Sequence, residues 1–205
     1  MMISDIVGQD VSRETENRLR LCDDLLHKWT KRINLVSPKT LSESWQRHIL
    51  DSAQIMPLAG PDAESWVDIG SGGGFPALVI AILAAEIRPR MQVTMIESDL
   101  RKCTFLRTVL READVKATVI STRIETAEAQ NADIISARAL AGLSDLLGYA
   151  QRHRKPQGQC LFMKGENWLS EVADAQESWT FDLTPHKSKT DPKAAILEIG
   201  NFAHV

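Results

Sequence analysis

The chain has 205 residues, 43% of them hydrophobic and 25% charged, which are the proportions of a folded domain with one sizeable core. Its formal net charge of −3 excludes binding of nucleic acid through overall basicity, although a local basic face is compatible with that total. It has no run of eighteen apolar residues, and its N-terminus has no basic stretch followed by an apolar one. We therefore expect no membrane span and no secretory signal, and predict a cytoplasmic protein.

The cysteines carry little chemistry in this sequence. Cys22, Cys103 and Cys160 lie far apart, and their number is odd. This pattern argues against a disulfide framework and against a zinc cluster. We predict no metal site, and expect the thiols to be small core residues in a reducing compartment.

The first part of the chain shows helical periodicity. Apolar residues recur at steps of three and four from Leu19 to Ile33, which predicts an amphipathic helix with Ser12 as its N-cap. Ser37-Pro38 is predicted to break this helix, because the residue before proline is pushed out of the α region. A second amphipathic helix is predicted from Leu41 to Met56.

Strands and helices alternate in the rest of the chain. The predicted strands are 65–69, 92–97, 117–121, 133–137, 159–164, 179–185 and 195–199, with helices after most of them. Repeated βαβ units predict an α/β fold with a doubly wound, mostly parallel, seven-stranded sheet. The last two strands have no helix between them, so they should form an antiparallel hairpin at the sheet edge. We predict a helical extension over 1–60, packed on a core domain over 61–205.

A glycine-rich segment joins the first predicted strand to the next helix. It reads Asp68-Ile-Gly70-Ser71-Gly72-Gly-Gly74. Ligands of doubly wound sheets bind beyond the carboxyl ends of the strands, where glycines allow positive φ and a close approach of the backbone. This spacing suits the amino-acid part of S-adenosylmethionine, which has no phosphate. A tight turn without a ligand is the structural alternative.

A nicotinamide-dependent oxidoreductase is an alternative interpretation of the same segment. Its loop needs Gly-x-Gly-x-x-Gly or Ala, so that helix amides meet a pyrophosphate. Counted from Gly70 the last position is Phe75, which fails; counted from Gly72 it is Ala77, which leaves Gly70 unexplained. We favour the methyl donor. A non-catalytic RNA-binding protein with a retained adenosyl pocket is a third hypothesis.

Two further positions match an adenosyl ligand of either kind. Glu97 ends the second predicted strand, from where a carboxylate can accept hydrogen bonds from both ribose hydroxyls. Ile124-Glu125 follows the third strand, where an adenine would lie. These positions support the ligand class without choosing between nicotinamide and methyl-donor cofactors.

Several catalytic signatures are absent near the predicted site. Ser136–Arg138 stands where enzymes that methylate exocyclic amines carry Asn/Asp-Pro-Pro-aromatic. Neither Cys103 nor Cys160 is placed as a nucleophile for carbon methylation. The remaining side chains are cationic and suit a phosphate-bearing or electron-rich acceptor that loses no proton: Arg123, Arg138 and Lys164.

Five short motifs, taken together, are typical of one family. They are Lys28-Trp-Thr-Lys31-Arg-Ile-Asn-Leu35, Arg47-His48-Ile-Leu-Asp51-Ser52, Val67–Pro76, Ile135-Ser-Ala-Arg138-Ala139 and Met163-Lys164-Gly165. From about Leu19 to Ile199 the chain resembles the bacterial 16S ribosomal RNA guanine-N7 methyltransferases, also called glucose-inhibited division protein B. It departs from the family at Ala77, where glycine is usual, and at Thr30, where asparagine is frequent. We expect activity to survive both.

The resemblance implies a reaction and a set of contacts. The enzyme would transfer a methyl group from S-adenosylmethionine to N7 of guanine 527, in the 530 loop of 16S rRNA within the 30S subunit, as a monomer. Guanine N7 carries a lone pair and no proton, so no dedicated general base is predicted, and Arg138 and Lys164 could orient the substrate. The predicted cofactor contacts are Asp68, Gly70, Ser71, Gly72, Gly74, Phe75, Glu97, Ser98, Ile124, Glu125 and Arg138.

Two groups of residues have open roles. His48, Asp51 and Ser52 share one helical face, either as a hydrogen-bonded cluster that ties the N-terminal helices to the sheet or as direct catalytic residues. The basic run 152–155 is interpreted as a solvated turn or a secondary phosphate contact. The predicted RNA-binding residues lie elsewhere: Arg101, Lys102, Arg123 and Lys164.

Overall fold

A computed structural model describes the whole chain, from Met1 to Val205, and two helices open it. They are α1 (Ile3–Val7) and α2 (Arg13–Thr30). Ser12 caps α2 as predicted, since its Oγ accepts a hydrogen bond from the amide of Thr15 at 3.2 Å.

Helix α2 ends well before the predicted break at Ser37-Pro38. The amides of Arg32 and Ile33 both donate to the carbonyl of Trp29, at 2.8 and 2.9 Å, which tightens the last turn. The chain then leaves the helix, and Leu35 becomes buried. Tertiary packing of this segment therefore ends the helix before the proline can.

The predicted second helix is wrong as a single regular element. The segment consists of a 3₁₀ helix (Pro38–Glu43), a π-helix (Trp45–Leu50), the short α3 (Asp51–Ala53) and a 3₁₀ helix (Met56–Leu58). The apolar residues Leu41, Trp45 and Ile49 recur at steps of four, which is wider than the 3.6 residues of an α turn. π-Helical turns frequently occur at functional sites, and this one contains His48.

The predicted seven-stranded sheet is confirmed. Its strands are β1 (Ser65–Ile69), β2 (Gln92–Glu97), β3 (Thr118–Ser121), β4 (Ala132–Arg138), β5 (Arg154–Lys164), β6 (Trp179–Lys187) and β7 (Ala195–His204). The order is β3-β2-β1-β4-β5-β7-β6, with parallel pairing from β3 to β5 and antiparallel pairing of β7 with both β5 and β6. The last two strands form the predicted hairpin, with β6 at the edge.

Helices cover both faces of the sheet. They are α4 (Ala77–Ile87), α5 (Leu100–Glu112), α6 (Leu143–His153) and α7 (Trp168–Gln176). Side chains alternate across each strand, so Trp66 joins the core beneath α4, α5 and the N-terminal helices, whereas Val67 joins the core beneath α6 and α7. The predicted division near residue 60 stays a prediction, because residues on both sides of it share the first core. No helix combines the length and apolar character that a bilayer crossing requires.

The basic run 152–155 is not a solvated turn. Strand β5 begins at Arg154, and His153 is fully buried. Arg152 donates to the carbonyl of Ala127 at 2.8 Å, and Lys155 pairs with Asp133 at 2.5 Å. These side chains join elements of the fold, so the run has a structural role that its charge alone does not reveal.

Candidate functional site

A cavity of about 840 Å³ opens at the carboxyl ends of the parallel strands. In this sheet the winding reverses between β1 and β4, which is where doubly wound folds bind ligands. Asp68, Gly74 and Arg101 do not line the cavity. Most of the residues predicted from the sequence do: Gly70, Ser71, Gly72, Phe75, Glu97, Ser98, Lys102, Arg123, Ile124, Glu125, Arg138 and Lys164.

The glycine loop joins β1 to α4 at the floor of this cavity. Gly72 has φ +53°, in the left-handed region, and a Cβ atom built on it would meet only the carbonyl oxygen of Gly70, at 3.7 Å. A side chain at this position would therefore project into open space at the cavity. Gly72 is the glycine whose missing side chain a ligand can use.

The other glycines of the loop are required by packing within the protein. A Cβ atom would lie 2.5 Å from the Leu140 side chain at Gly70, 2.8 Å from the carbonyl oxygen of Leu35 at Gly73, and 2.2 Å from Leu78 at Gly74. Three elements therefore close on the loop: the segment after α2, the turn after β4, and α4. Ala77, the departure from the family pattern, is the fully buried first residue of α4 and does not line the cavity.

Glu97 ends β2 with its carboxylate at the cavity and is only 8% exposed. Oε2 accepts a hydrogen bond from the amide of Gly72 at 2.8 Å, and Oε1 accepts one from the amide of Asp99 at 2.7 Å. A carboxylate has about four lone-pair sites, so each oxygen can accept one more hydrogen bond. Glu97 therefore braces the glycine loop and can still bind hydroxyl groups in the cavity.

Ile124 and Glu125 lie in the turn after β3, where Ile124 is buried and Glu125 is exposed. The ring of His153, on α6, bonds through Nε2 to the carbonyl of Ile124 at 2.9 Å. Burial lowers the pKa of His153, so the ring is neutral and its Nε2–H donates to that carbonyl. Helix α6 thus fixes the turn that supplies an apolar wall to the cavity.

Arg138, at the end of β4, is held by residues of the first 58 positions, before β1, which we call the N-terminal segment. Its guanidinium donates to the carbonyl of Arg47 at 3.0 Å, to Asp51 Oδ2 at 3.2 Å and to His48 Nδ1 at 2.9 Å. It lies 5.2 Å from the centre of the Phe75 ring, on which His48 also stacks. Three of the five N–H donors are used in this way, which leaves two for a ligand.

His48 is a neutral ring of defined tautomer in this arrangement. Burial, with the charges of Arg138 and Arg47, lowers the pKa of His48 to about 3. Because Nδ1 accepts from Arg138, Nε2 carries the hydrogen and donates to Thr40 Oγ1 at 2.9 Å. Neither nitrogen is free to take a proton from a substrate. The residue belongs to a hydrogen-bonded cluster that ties the N-terminal segment to the sheet.

Asp51 and Ser52 differ in their surroundings. Asp51 Oδ1 accepts hydrogen bonds from Thr190 Oγ1 at 2.5 Å and from Gln54 Nε2 at 2.8 Å, so this carboxylate joins the N-terminal segment, β4 and the β6–β7 loop. Ser52 is fully buried, and its hydroxyl has no hydrogen-bond partner. His48 and Asp51 therefore belong to the predicted hydrogen-bonded cluster that ties the N-terminal segment to the sheet, whereas Ser52 contributes only packing.

Asp68 lies behind the glycine loop rather than in the cavity. Trp66 Nε1 donates to Ser136 Oγ at 2.8 Å, and Ser136 Oγ donates to Asp68 Oδ1 at 2.6 Å. Burial raises the pKa of Asp68 to about 6, against the opposing effect of the hydrogen bond from Ser136. A direct contact of Asp68 with a cofactor stays a prediction.

Lys164, at the end of β5, is committed to the protein itself. Its Nζ donates to the carbonyl of Ala141 at 2.7 Å and pairs with Glu171 at 2.6 Å, and its side chain is only 7% exposed. Two of its three N–H donors are thus used to hold the turn after β4 against α7. One remains for a ligand in the cavity.

The comparison with known families identifies the family of the chain. The family model described as "GidB: rRNA small subunit methyltransferase G" matches residues 15–196. The chain belongs to the rRNA small subunit methyltransferase G family. This assignment favours an enzyme over a non-catalytic RNA-binding protein, and a methyltransferase over the nicotinamide-dependent oxidoreductase.

Relatives of this family match the chain over its length. Proteins named ribosomal RNA small subunit methyltransferase G are 51% identical in Ruegeria sp. (strain TM1040), over 96% of this chain and 95% of the relative, and 49% identical in Ruegeria pomeroyi, over 100% of both. The protein of that name in Paracoccus denitrificans is 47% identical, over 95% of this chain and 98% of the relative.

Solved structures of low sequence identity share the fold. A SAM-dependent methyltransferase from Aquifex aeolicus aligns with a TM-score of 0.60 at 12% identity, covering 87% of this chain and 98% of that one. An O-methyltransferase from Bacillus cereus, solved in complex with SAH, aligns with a TM-score of 0.59 at 11% identity, covering 97% and 95%. The doubly wound α/β fold expected from the strand pattern is thereby confirmed.

The predicted RNA-binding residues of this family member occupy different environments. Lys102 and Arg123 line the cavity mouth, and Arg123 is exposed and belongs to no ion pair. Arg101 is 73% exposed, does not line the cavity and pairs with Asp99 at 3.0 Å. Lys164 is buried and paired. The structure thus brings two of the four to the mouth.

Sequence reasoning missed several residues that shape the site. Thr40 and Thr190 complete the cluster around His48 and Asp51, and Leu140 closes on Gly70. No local pattern marks these residues, because their partners are distant in the chain. Tyr149, the single tyrosine, also lines the cavity. Its position on the predicted helix after the fourth strand was the one available signal.

Proposed function

We propose that this chain transfers a methyl group from S-adenosylmethionine to N7 of guanine 527, in the 530 loop of 16S rRNA within the 30S subunit, without a dedicated general base. The observation that carries the proposal is the state of the cavity. It has an adenosyl-type cradle built from Gly72 and Glu97, and the two general-base candidates that the N-terminal segment brings to it, His48 and Asp51, are already hydrogen-bonded within the protein.

The residues present fit the cofactor. Gly72 leaves room at the cavity floor, Glu97 retains acceptor capacity for the ribose hydroxyls, and Ile124 offers an apolar wall for an adenine. Arg138 keeps two donors that can reach a carboxylate. The same set would also take another adenosyl ligand, so the family assignment is what favours the methyl donor.

The engaged side chains favour an acceptor that loses no proton. His48 accepts from Arg138 and donates to Thr40, and Asp51 accepts from Arg138 and Thr190. Cys22, Cys103 and Cys160 are fully buried and do not line the cavity, so none is placed as a thiolate nucleophile. Burial also raises the pKa of Cys22 and of Cys160 to about 12.

Guanine N7 needs neither a base nor a nucleophile. S-adenosylmethionine supplies an electrophilic methyl group on a sulfonium sulfur, and its transfer leaves the positive charge on the methylated base. The protein then contributes position, and holding two reactants in line supplies up to about 7–11 kcal/mol of the barrier. The cluster around Arg138 and the turn held by Lys164 provide this rigidity.

The choice of substrate rests on the family and on the cavity mouth. Relatives are named for ribosomal RNA of the small subunit, and Lys102 and Arg123 offer cations for RNA phosphate at the mouth. We include a cytoplasmic location in the proposal, because ribosomal subunits are the proposed substrate. We include the monomer in the proposal, and light scattering of the purified protein tests it.

The test uses tritiated S-adenosylmethionine and 30S subunits from a strain that lacks this gene. We expect label in 16S rRNA, at one guanine whose glycosidic bond becomes sensitive to borohydride and aniline treatment, as N7-methylguanine is. Wild-type 30S subunits, already methylated, are the matched control and should take up little label. Label at another atom or in another RNA would overturn the proposal. Absence of label would also overturn it and would favour a non-catalytic RNA-binding protein.

A further inference from the structure

The end of α2 and the segment after it carry a cluster of cations without an acidic residue among them. Between Leu25 and Ser42 the chain has four Lys or Arg residues and no Asp or Glu. We call Lys31, Arg32 and Lys39 the basic segment. All three side chains are exposed, and none takes part in any ion pair or side-chain hydrogen bond of the structure.

The basic segment lies beside the cavity. Leu35 packs on the glycine loop, since its carbonyl oxygen would be 2.8 Å from a Cβ atom at Gly73. Val36 and Thr40 line the cavity itself, and Lys39 lies between them in the chain. Arg32 precedes Val36 by four residues, so its Cα is at most about 14 Å from that of Val36. Lys31 precedes Val36 by five residues, which bounds the distance between their Cα atoms at about 18 Å. With their long side chains, all three cations lie within reach of a polymer seated on the cavity mouth.

Local stability explains only part of this cluster. A helix dipole favours cations near the C-terminus of α2, which accounts for Lys28 in the last turn. It does not account for Arg32 or Lys39, which lie beyond the helix and face no acidic partner. In a chain of net charge −3, unpaired cations crowded in one segment repel each other and remain available to a polyanion.

We infer that the basic segment binds the RNA backbone next to the target base, in addition to Lys102 and Arg123 at the same mouth. The inference rests on the proposed function for the identity of the RNA. Phosphate contacts of this kind position a nucleic acid without reading its sequence. The N-terminal segment would then have two roles, because it holds Arg138 from inside and the substrate from outside.

The experiment compares two triple variants that remove the same charge. One is Lys31→Ala with Arg32→Ala and Lys39→Ala. The matched control is Arg13→Ala with Arg90→Ala and Lys116→Ala, exposed residues at the start of α2 and at the amino ends of β2 and β3, which do not line the cavity. Of these three, only Arg90 is ion-paired, with the exposed Glu64 at 3.0 Å. Filter binding measures the affinity of each protein for unmethylated 30S subunits between 50 and 200 mM KCl.

We expect the slope of log affinity against log salt to fall by about 2 to 3 in the first variant, because each phosphate contact contributes about 0.7 to 0.9. Over this salt range the wild type should lose about 20- to 40-fold more affinity than that variant. The control variant should keep the wild-type slope, and both should bind S-adenosylmethionine as the wild type does in calorimetry. A charge-preserving variant, Lys31→Arg with Lys39→Arg, should retain the slope.

Three results would overturn the inference: an unchanged slope in the first variant, an equal decrease in the control, or no binding of 30S subunits by the wild type. The binding measurement does not depend on methyl transfer. If the wild type binds 30S subunits with the expected salt dependence and yet labels no guanine N7, the proposed function fails while the basic segment is still judged by its slope.

Discussion

Gly72 offers the sharpest test of the cofactor site, and the perturbation is Gly72→Asp. A side chain here points into open space at the cavity, and the amide of the same residue donates to Glu97 Oε2 at 2.8 Å. In the proposed site, a carboxylate on this side chain would face the carboxylate of the methyl donor's amino-acid part, so these two negative charges meet only in the complex. At a separation of about 5 Å and an effective dielectric constant of about 20, their repulsion is about 3 kcal/mol, which corresponds to more than 100-fold in affinity.

The fold should tolerate this change. Gly72 has φ +53°, and left-handed backbone costs a residue with a Cβ atom about 1–2 kcal/mol, less for Asp, which is enriched in that region. A chain of this size loses about 2–4 °C of Tm for each kcal/mol. The variant should therefore unfold cooperatively with a Tm lowered by a few degrees.

The assay is calorimetric titration with S-adenosylmethionine, beside thermal unfolding. Gly72→Ala and Gly72→Asn are the controls: the first carries the backbone cost with a single methyl group, and the second carries the volume without the charge. We expect Gly72→Ala to keep most of the affinity and Gly72→Asp to lose binding. An unchanged Kd in Gly72→Asp would refute the assignment of the loop to the cofactor.

Three further perturbations test the polar groups behind the site. Asp51→Ala removes the carboxylate that pairs with the Arg138 guanidinium at 3.2 Å, where each side chain is 17% exposed. The free energy of unfolding, measured by urea denaturation, should fall by about 3 kcal/mol. A decrease below about 1 kcal/mol would contradict the pairing. The pKa of His48, about 3 in the native state, lies below its unfolded value, so below pH 6.5 the unfolded chain binds a proton that the native state does not. Stability should therefore fall toward pH 4 by up to about 1.4 kcal/mol per pH unit, and His48→Gln should lose this component; a variant with the wild-type pH profile would exclude it. The pKa of Asp68, about 6, is raised above its unfolded value, so its ionisation destabilises the native state at pH 7 but not below pH 4. Asp68→Asn should stabilise the protein at pH 7 more than at pH 4 in urea denaturation, and an equal effect at both would contradict the buried carboxylate.

The strands near the site were predictable because their signal is local. Strand β1 at 65–69 and β2 at 92–97 have the predicted bounds, since each is a short apolar run between turn-forming residues. Their carboxyl ends place the glycine loop and Glu97 at one edge of the sheet by the geometry of parallel strands alone.

The N-terminal segment was not predictable in the same way. Its helix ends at Thr30 because Leu35 packs on the glycine loop, and that contact joins residues nearly forty positions apart. A charge run in the sequence likewise does not show its partners. Arg152 donates to the carbonyl of Ala127 and Lys155 pairs with Asp133, whereas the cations between residues 31 and 39 form no ion pair.

Lys164 illustrates the same difficulty for a single residue. Its place at the end of β5 was predicted, and with it a charge at the cavity. The sequence does not show that Glu171 and the carbonyl of Ala141 already take up two of its donors. Whether a basic residue serves the ligand or the fold depends on neighbours that only the tertiary structure provides.

The packing of the glycine loop against the side chains of Leu140 and Leu78 constrains how this sequence can diverge. An alanine at Gly70 would overlap Leu140, and one at Gly74 would overlap Leu78, so neither position can change alone. Each change requires its leucine to become smaller first, in addition to the cost of a Cβ atom at positive φ (+66° at Gly70, +87° at Gly74), which makes the order of substitutions matter. Enlarging the cavity for donors that carry groups bulkier than methyl should therefore begin at Leu140, with the glycines left in place.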